Sequence, residues 1–410
     1  MKLLKTDIIL FFLLVFVVFV DILNGIYFYL FNSNLLIASL YRGSIVAISS
    51  LFVFFSNRVL KISFHILFII FFWVLLLAFW WIFSDINLLS EMNSFLRITY
   101  ALWLFSLLIY FSPAIERRKV LGFIELYLGI VSTAIYFSFV TKIGISTHSG
   151  YTFGTSSFFI AANTLGISVL SLLAILLFRD LTKKKFVFYL IIGVSLFLIG
   201  SLTAIVGVIL LFTIRLIAYL FFQKSTNLSQ LIRKNLISIL FFIGLIQLVY
   251  IVYDFLSEFY FYNRKVALYL EQGPRAELTN VAHEYLVERP LYENLFGEGK
   301  SSFLKNYASQ FSEGYKAKDE SSVENDIYDF IGAYGIVFFI LLCSWYFKYY
   351  ITAIKIFLAK KDLTSTGLCL SFTLLFGHSF VAGHVLGTPM ALNSLAILCF
   401  LTYKYTFKNE

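Results

Sequence analysis

The sequence predicts an all-α polytopic membrane protein with about twelve transmembrane helices and one large extracytoplasmic loop containing amphipathic helices. Three observations predict it. Of the 410 residues, 60% are hydrophobic and only 13% are charged, against about 45–50% and about 25% in soluble domains. The apolar residues gather in runs of roughly 20, the length a helix needs to cross a hydrocarbon core. Lysine and arginine cluster briefly between alternate runs, as they do in cytoplasmic membrane loops. Other classes are excluded by the same composition. A chain with 49 Phe and 26 Tyr is not disordered, and 4 Pro with 22 Gly exclude a fibrous protein. The net charge of +9 is dispersed over the loops, so no nucleic-acid partner is expected. Cys343, Cys369 and Cys399 all lie in apolar segments, which argues against a disulfide framework or a zinc site.

The first apolar run, 8–31, exceeds a signal-peptide core and lacks a small-residue cleavage site, so it reads as a retained span. Further spans are expected at 35–56, 62–83, 95–112, 119–141 and 157–178. The seventh, 186–200, is short and shares a tight turn at Gly200–Ser201 with the eighth, 202–222. The remaining four are expected at 235–256, 327–348, 364–384 and 390–406. Basic clusters at Lys2/Lys5, Arg58/Lys61, Arg117–Lys119, Arg179 with Lys183–Lys185, Lys224 with Arg233/Lys234, Lys348 with Lys355, Lys360 and Lys361, and Lys404/Lys408 fall on one side. Both termini are therefore expected in the cytoplasm. The organisation expected is a bundle of about nine spans over 1–256, a loop over 257–325, and about three spans over 326–410.

The 257–325 loop is the one long polar segment, and it carries a net charge of −3 while the rest of the chain carries +12. Loops of this length are usually functional or disordered. Here Leu278, Val281, Ala282, Tyr285 and Leu286 recur at helical spacing, with Pro274 suited to a first helical position and Pro290 closing the run. One or two amphipathic helices over the outer face of the bundle are expected.

Charged residues within apolar spans are the first candidates for chemistry, because insertion costs about 2.5–3.5 kcal/mol for Arg or Asp at a helix centre. Arg42 lies in the outer half of the second span, and Arg97 opens the fourth from outside; Asp21 and Glu125 sit in the first and fifth. Snorkelling or an intramembrane Arg–Asp pair is one reading. An anion site is the other, since the guanidinium fork suits phosphate. Arg275, in "GPRAEL", falls in the first turn of a predicted helix, where free N–H groups and the helix dipole favour an anion. The alternative is a solvated arginine paired with Glu277 or Glu271. Arg264 and Arg289 are further candidates on the same grounds.

Glu324, Asp326 and Asp329, in "ENDIYD", precede an apolar span. They either cap that helix or supply a partly desolvated carboxylate fit to act as a general base. Gly332 and Gly335 follow and permit close helix packing. His378 and His384 are six apart, which puts them on different helix faces and excludes the two-histidine metal site of i,i+4 type. They are either interface histidines or substrate contacts; His148 and His283 are less specific. "ENLFGEGKSS" looks like a phosphate-binding P-loop, but Asn294 replaces the first glycine and no strand precedes it, so Gly297 and Gly299 read as a turn.

Taken together, these pieces resemble the O-antigen polymerase and O-antigen ligase superfamily, the Wzy-type polymerases and their ligase relatives. The features that carry the resemblance are many short-looped spans before one large late loop, "GTSSFFIAANTLG" with Asn163 at the family's asparagine, "GPRAEL…ERPLYENLFGEGKSSF", and "VENDIYDFIGAYGIV". Together they cover roughly 142–400. Two departures stand out. The ligases usually place a histidine where this chain reads "END", which favours a polymerase, and the family's S-x-S-R turn reads "GSLTA" here.

The resemblance implies a metal-independent, cofactor-free glycosyltransferase at the outer face of the membrane. Donor and acceptor would both be undecaprenyl-diphosphate-linked oligosaccharides, with membrane lipids and a chain-length regulator as further partners. Charge develops on the diphosphate as the sugar leaves, so fixed arginines stabilise the transition state more than the ground state. Under that implication Arg275 is the main diphosphate ligand, supported by Arg42, Arg97, Arg264 and Arg289. Asp326 or Glu324 deprotonates the acceptor hydroxyl, and His378, His384, Asn163 and Tyr285 contact glycan. Tyr262 and Tyr292 would stack on sugars, although a wet–apolar interface explains them equally well. A ligase acting on lipid A-core and a lipid-linked oligosaccharide flippase are the rival readings.

Overall fold

Runs of apolar residues with no polar interruption can bury their backbone only as helices when water is absent, and helices dominate the chain. The computed structural model describes residues 2–33, 37–84, 86–146, 154–222, 247, 274–311, 323 and 325–407. Apart from Gln247, the predicted ninth span at 235–256 lies outside the described residues, as do Arg264, Tyr262, His148 and Glu324.

In the first half, α1 (Lys2–Leu10) continues through a π turn at Phe11–Val15 into α2 (Phe16–Phe31). There follow α3 (Ile37–Phe55), α4 (Asn57–Phe83), α5 (Leu88–Phe111) and α6 (Arg117–Thr141). Two short antiparallel strands, β1 (Ile145–Ser146) and β2 (Thr155–Ser157), lead into α7 (Ala162–Leu177), α8 (Lys183–Ile199) and α9 (Leu202–Phe222). Gly200, at φ 73°, makes the tight turn expected between α8 and α9. The polar segment then contributes α10 (Pro274–Glu288), α11 (Leu291–Phe296) and α12 (Lys300–Ala308), and the chain ends with α13 (Asp326–Lys360), α14 (Leu363–Ala382) and α15 (Pro389–Phe407).

Among the described residues, six helical segments are long and apolar enough to cross a membrane: Thr6–Phe31, Phe64–Phe83, Leu88–Ala114, Arg117–Thr141, Asp326–Lys360 and Leu363–Ala382. Ile37–Val53, Ala162–Leu177 and Leu202–Ala218 are shorter apolar helices. The chain is thus an all-α protein with membrane-spanning character. At its centre α7 is buried from Thr164 to Leu177, with α5 and α15 similarly enclosed. Small residues permit the tight crossing of α14 on α7, where Ser371 Oγ donates to the Ser171 carbonyl at 2.8 Å.

Two expectations are corrected. The helix over the tenth predicted span, 327–348, runs on to Lys360, because buried Tyr346, Tyr349 and Ala353 continue the apolar stripe while Lys348 and Lys355 face outward. The polar segment has three helices among its described residues rather than one or two. Gly297 and Gly299 take positive φ values of 73° and 84°, ending α11 and starting α12 afresh.

Those three helices are pinned to the bundle through one contact zone. Gly335 is non-helical within α13, at φ 79° and ψ 160°, so carbonyls in the preceding turn lose their usual helical partners. The loop supplies the replacements: Gly299 N–H donates to Ala333 O at 2.9 Å, and the Arg289 guanidinium donates to Gly332 O at 3.2 Å. The backbones pass so closely that a Cβ on Gly335 would lie 2.3 Å from Leu295 O. Trp80 Nε1 donates to Phe296 O at 3.0 Å, tying α4 to the same turn. Glu91 on α5, fully buried, accepts from both Ser301 N and Ser301 Oγ at 2.8 Å and so caps α12.

Candidate functional site

Three adjoining hollows form one cleft at the end of the bundle where α3, α5, α7, α13 and α15 begin. The arginine lobe, ≈ 380 Å³, lies between α2, α3, α5 and the start of α7, and is lined by Asp21, Asn24, Arg42 and Arg97. The lysine lobe, ≈ 870 Å³, is lined by Arg97, Lys300, Lys305, Asp326, Asp329 and His384. A third lobe of ≈ 380 Å³ is lined by Asn163, Thr164, Ser156 and His384. Arg97, Asn93 and Thr388 border both of the first two lobes, and Thr388 borders all three.

Helix packing explains the convergence. Helix α3 packs against both α2 and α5, so Asp21, Arg42 and Arg97, far apart in sequence, share one lobe. Arg42 pairs with Asp21 through Nη2, while its Nε is buried with no hydrogen-bond partner. Arg97 is exposed into the cleft and makes no salt bridge among the described residues. Asp326, at the start of α13, is buried, and its Oδ2 accepts from Ser379 Oγ at 2.6 Å, Val385 N at 2.9 Å and Leu386 N at 3.0 Å. Those bonds fasten α13 to the turn after α14, which carries His384 at φ 63°. Asp329 accepts from Val323 N at 2.9 Å.

Arg42, Arg97, Asp326, His384 and Asn163 therefore meet in the cleft, and others singled out in the sequence do not. Arg289 is buried in the loop module, where it donates to Asn294 Oδ1, Glu298 Oε1 and the carbonyls of Gly332, Glu293 and Ile331. That gives its guanidinium a structural task. Tyr285 belongs to the same network, donating to Glu298 Oε1 at 2.8 Å. Burial pushes the Glu298 carboxyl above its ordinary range, against the opposing effects of the Tyr285 hydroxyl, Arg289 and Asn306. His378 is buried within α14 and lies outside the cleft lining. Arg275 sits at the second position of α10, as its motif implied, and its side chain lies outside the described part of the chain. Arg264 and Glu324 lie outside the described residues altogether.

Sequence reasoning missed Lys300, Lys305, Asn93 and Thr164 as cleft residues. The signal for Lys300 was present in "FGEGKSS", where the glycine turn delivers a lysine to the first turn of α12. Asn93 was legible as a polar residue opening an apolar run. Nothing local marked Thr164. Chemically, the cleft combines fixed cations, carboxylates and a row of amides and hydroxyls, a lining suited to an anionic group joined to a polyhydroxylated one. No protein-family model matches the chain, and no curated protein sequence matches it.

Proposed function

We propose that the protein is a polysaccharide polymerase of the O-antigen type. It transfers a growing glycan from undecaprenyl diphosphate to a lipid-linked repeat unit at the outer face of a bacterial inner membrane. The observation that carries this reading is the cleft, where Arg97 lines one lobe with Arg42 and the adjoining lobe with Asp326 and His384. The finer topology belongs to the same proposal: about twelve spans, both termini cytoplasmic, and the cleft opening outward. With that orientation the loop module of α10, α11 and α12 closes over the extracytoplasmic end.

The diphosphate lies against Arg42 and Arg97, whose fixed charges match the negative charge that grows on the leaving group. Arg275 remains the loop residue proposed to complete that site. A carboxylate at the start of α13, Asp326 or its neighbour Glu324, orients or deprotonates the acceptor hydroxyl. His384 and Asn163 contact the sugars. No metal or cofactor enters the reaction. The reading draws on the likeness to the superfamily together with the residues gathered in the cleft.

The test is polysaccharide chain length in a null strain carrying wild type, Arg97→Ala, Arg275→Ala or Asp326→Ala, at matched membrane levels. Single repeat units on the lipid carrier or core in the variants support the polymerase. Long chains accumulating on undecaprenyl diphosphate in the null strain point to the ligase instead. Unpolymerised units retained on the cytoplasmic leaflet point to a flippase and sink the site assignment.

A further inference from the structure

The first turn of α7 opens directly onto the arginine lobe. Its N-cap is Ala161, extended at φ −119° and ψ 99°, with no side-chain cap. The first bond of the helix is Leu165 N–H to Ala161 O at 3.0 Å. The three preceding N–H groups, of Ala162, Asn163 and Thr164, therefore have no partner within the helix. By contrast, α5 and α13 are closed by Asn87 and Asn325, whose side chains accept from Ser90 N and Ile327 N. A bare helix start is not a site in itself. Two further atoms give this one its meaning.

Thr164 is buried at 2% exposure, borders both the arginine lobe and the third lobe, and its Oγ1 has no hydrogen-bond partner. Arg42 Nε, in the same lobe, is likewise buried without a partner. A hydroxyl, a guanidinium N–H and a row of helix N–H groups all seek oxygen. Arg42 and Arg97 outweigh Asp21 in the charge of the lobe, and the α7 dipole adds to the positive side. We infer that the N-terminal turn of α7, with Thr164 Oγ1 and the Ala162, Asn163 and Thr164 N–H groups, binds a phosphate oxygen of a diphosphate-bearing lipid beside Arg42 and Arg97. This site rests on the polymerase reading for the identity of its ligand. It adds a neutral half to a site otherwise described by its arginines, and it makes Thr164 a ligand-binding residue.

The experiment uses the full-length protein purified in detergent, with farnesyl diphosphate as the probe and farnesol as the matched alcohol. Three variants separate the contributions. Thr164→Val removes the hydroxyl at constant shape, and Thr164→Ser restores it. Ala162→Pro deletes one N–H at the first helical position, where proline is tolerated and where the extended Ala161 suits it. Farnesyl diphosphate should bind the wild type more tightly than farnesol does. Thr164→Val should weaken diphosphate binding about tenfold, in line with loss of a charge-assisted hydrogen bond, and Thr164→Ser should recover it to within about twofold. Ala162→Pro should weaken it severalfold with thermal stability retained. Inorganic pyrophosphate competing with the same dependence on Thr164 would support the phosphate contact irrespective of the prenyl chain. Wild-type affinity in both Thr164→Val and Ala162→Pro, with binding lost in Arg97→Ala, overturns the α7 site and leaves the polymerase reading standing. A wild type that does not discriminate diphosphate from alcohol overturns both.

Discussion

Replacing Arg289 by methionine separates a structural arginine from a substrate-binding one. Its side chain is only 2% exposed and lies 3.1 Å from Glu298, itself 5% exposed. Beyond that ion pair it satisfies Asn294 Oδ1 at 3.1 Å and the carbonyls of Glu293, Gly332 and Ile331 at 2.7, 3.2 and 3.4 Å. Two of those carbonyls belong to the α13 turn before the break at Gly335, so the variant removes their guanidinium donor and leaves a buried carboxylate without its countercharge. Breaking one side of a buried pair costs about 3–5 kcal/mol. At 1.36 kcal/mol per factor of ten, local opening of the α10–α12 module should become more frequent by roughly two to four orders of magnitude. Hydrogen–deuterium exchange followed by mass spectrometry reads this directly, as lost protection over 274–308 with α7 unchanged. The double variant Arg289→Met/Glu298→Leu should recover much of the protection, because a buried pair replaced by apolar groups is often near neutral. An Arg289→Met protein with intact protection but no affinity for farnesyl diphosphate would refute the reasoning and make Arg289 a ligand.

Arg97 should behave in the opposite way. Arg97→Ala leaves exchange and membrane level unchanged while polymerisation falls by about 10²–10³, the range for a lost transition-state donor; Arg97→Lys should retain part of the activity in a chain-length assay. Gly335→Ala forces a side chain onto φ 79° and toward Leu295 O at 2.3 Å. A loss of more than about 2 kcal/mol is expected, since a backbone region open essentially to glycine alone costs about 1–3, measured by thermal unfolding in detergent. Glu298 supplies a pH signature. Its folded carboxyl holds the proton more tightly than the ordinary value of 4.5, so the folded state binds more protons than the unfolded one across that window. Protection of the loop module should therefore be greatest below that value and decline as pH rises through the raised one. Glu298→Gln should flatten the profile, and a profile rising with pH would contradict the assignment.

The helices were legible because run length and hydropathy are properties of neighbouring residues. The α10 stripe of Leu278, Ala282 and Leu286 and the turn at Gly200 belong to the same kind of information. What escaped is set by distant partners. The short α12 depends on a cap from Glu91, 210 residues away from Ser301. Arg289 and Arg97 look alike as isolated arginines, and what distinguishes them is whether acceptors 42 and 43 residues away converge on the guanidinium. The extension of α13 past 348 was obscured by Lys348 and Lys355, which read as a loop cluster although their Cα positions continue one helix. Thr164 sits in an apolar run, and only the direction of its neighbours makes its hydroxyl conspicuous.

Beneath the cleft the polar atoms follow a seam that bears on the choice between an enzyme and a conduit. Thr164 Oγ1, Ser168 Oγ on the next turn of α7, and both amide atoms of Asn393 on α15 are buried without hydrogen-bond partners. One turn deeper the polar groups are matched, with Ser371 Oγ donating to Ser171 O at 2.8 Å. Below that, Ile175, Leu176, Leu177 and Phe178 at the end of α7 and Leu398, Cys399 and Phe400 on α15 are all at most 2% exposed. A transporter needs polar lining continued through the midplane. Here the described residues close the seam with side chains packed as in any apolar core, which supports a blind cleft that works on its ligand from one side. Asn393→Leu tests the distinction. In a blind cleft it removes two unsatisfied polar atoms, so stability should rise by about 1–3 kcal/mol and polymerisation should change less than about threefold. In a conduit the same change plugs the path and abolishes translocation of a fluorescent lipid-linked oligosaccharide across vesicles. Loss of translocation with catalysis absent in the wild type would refute the blind-cleft argument.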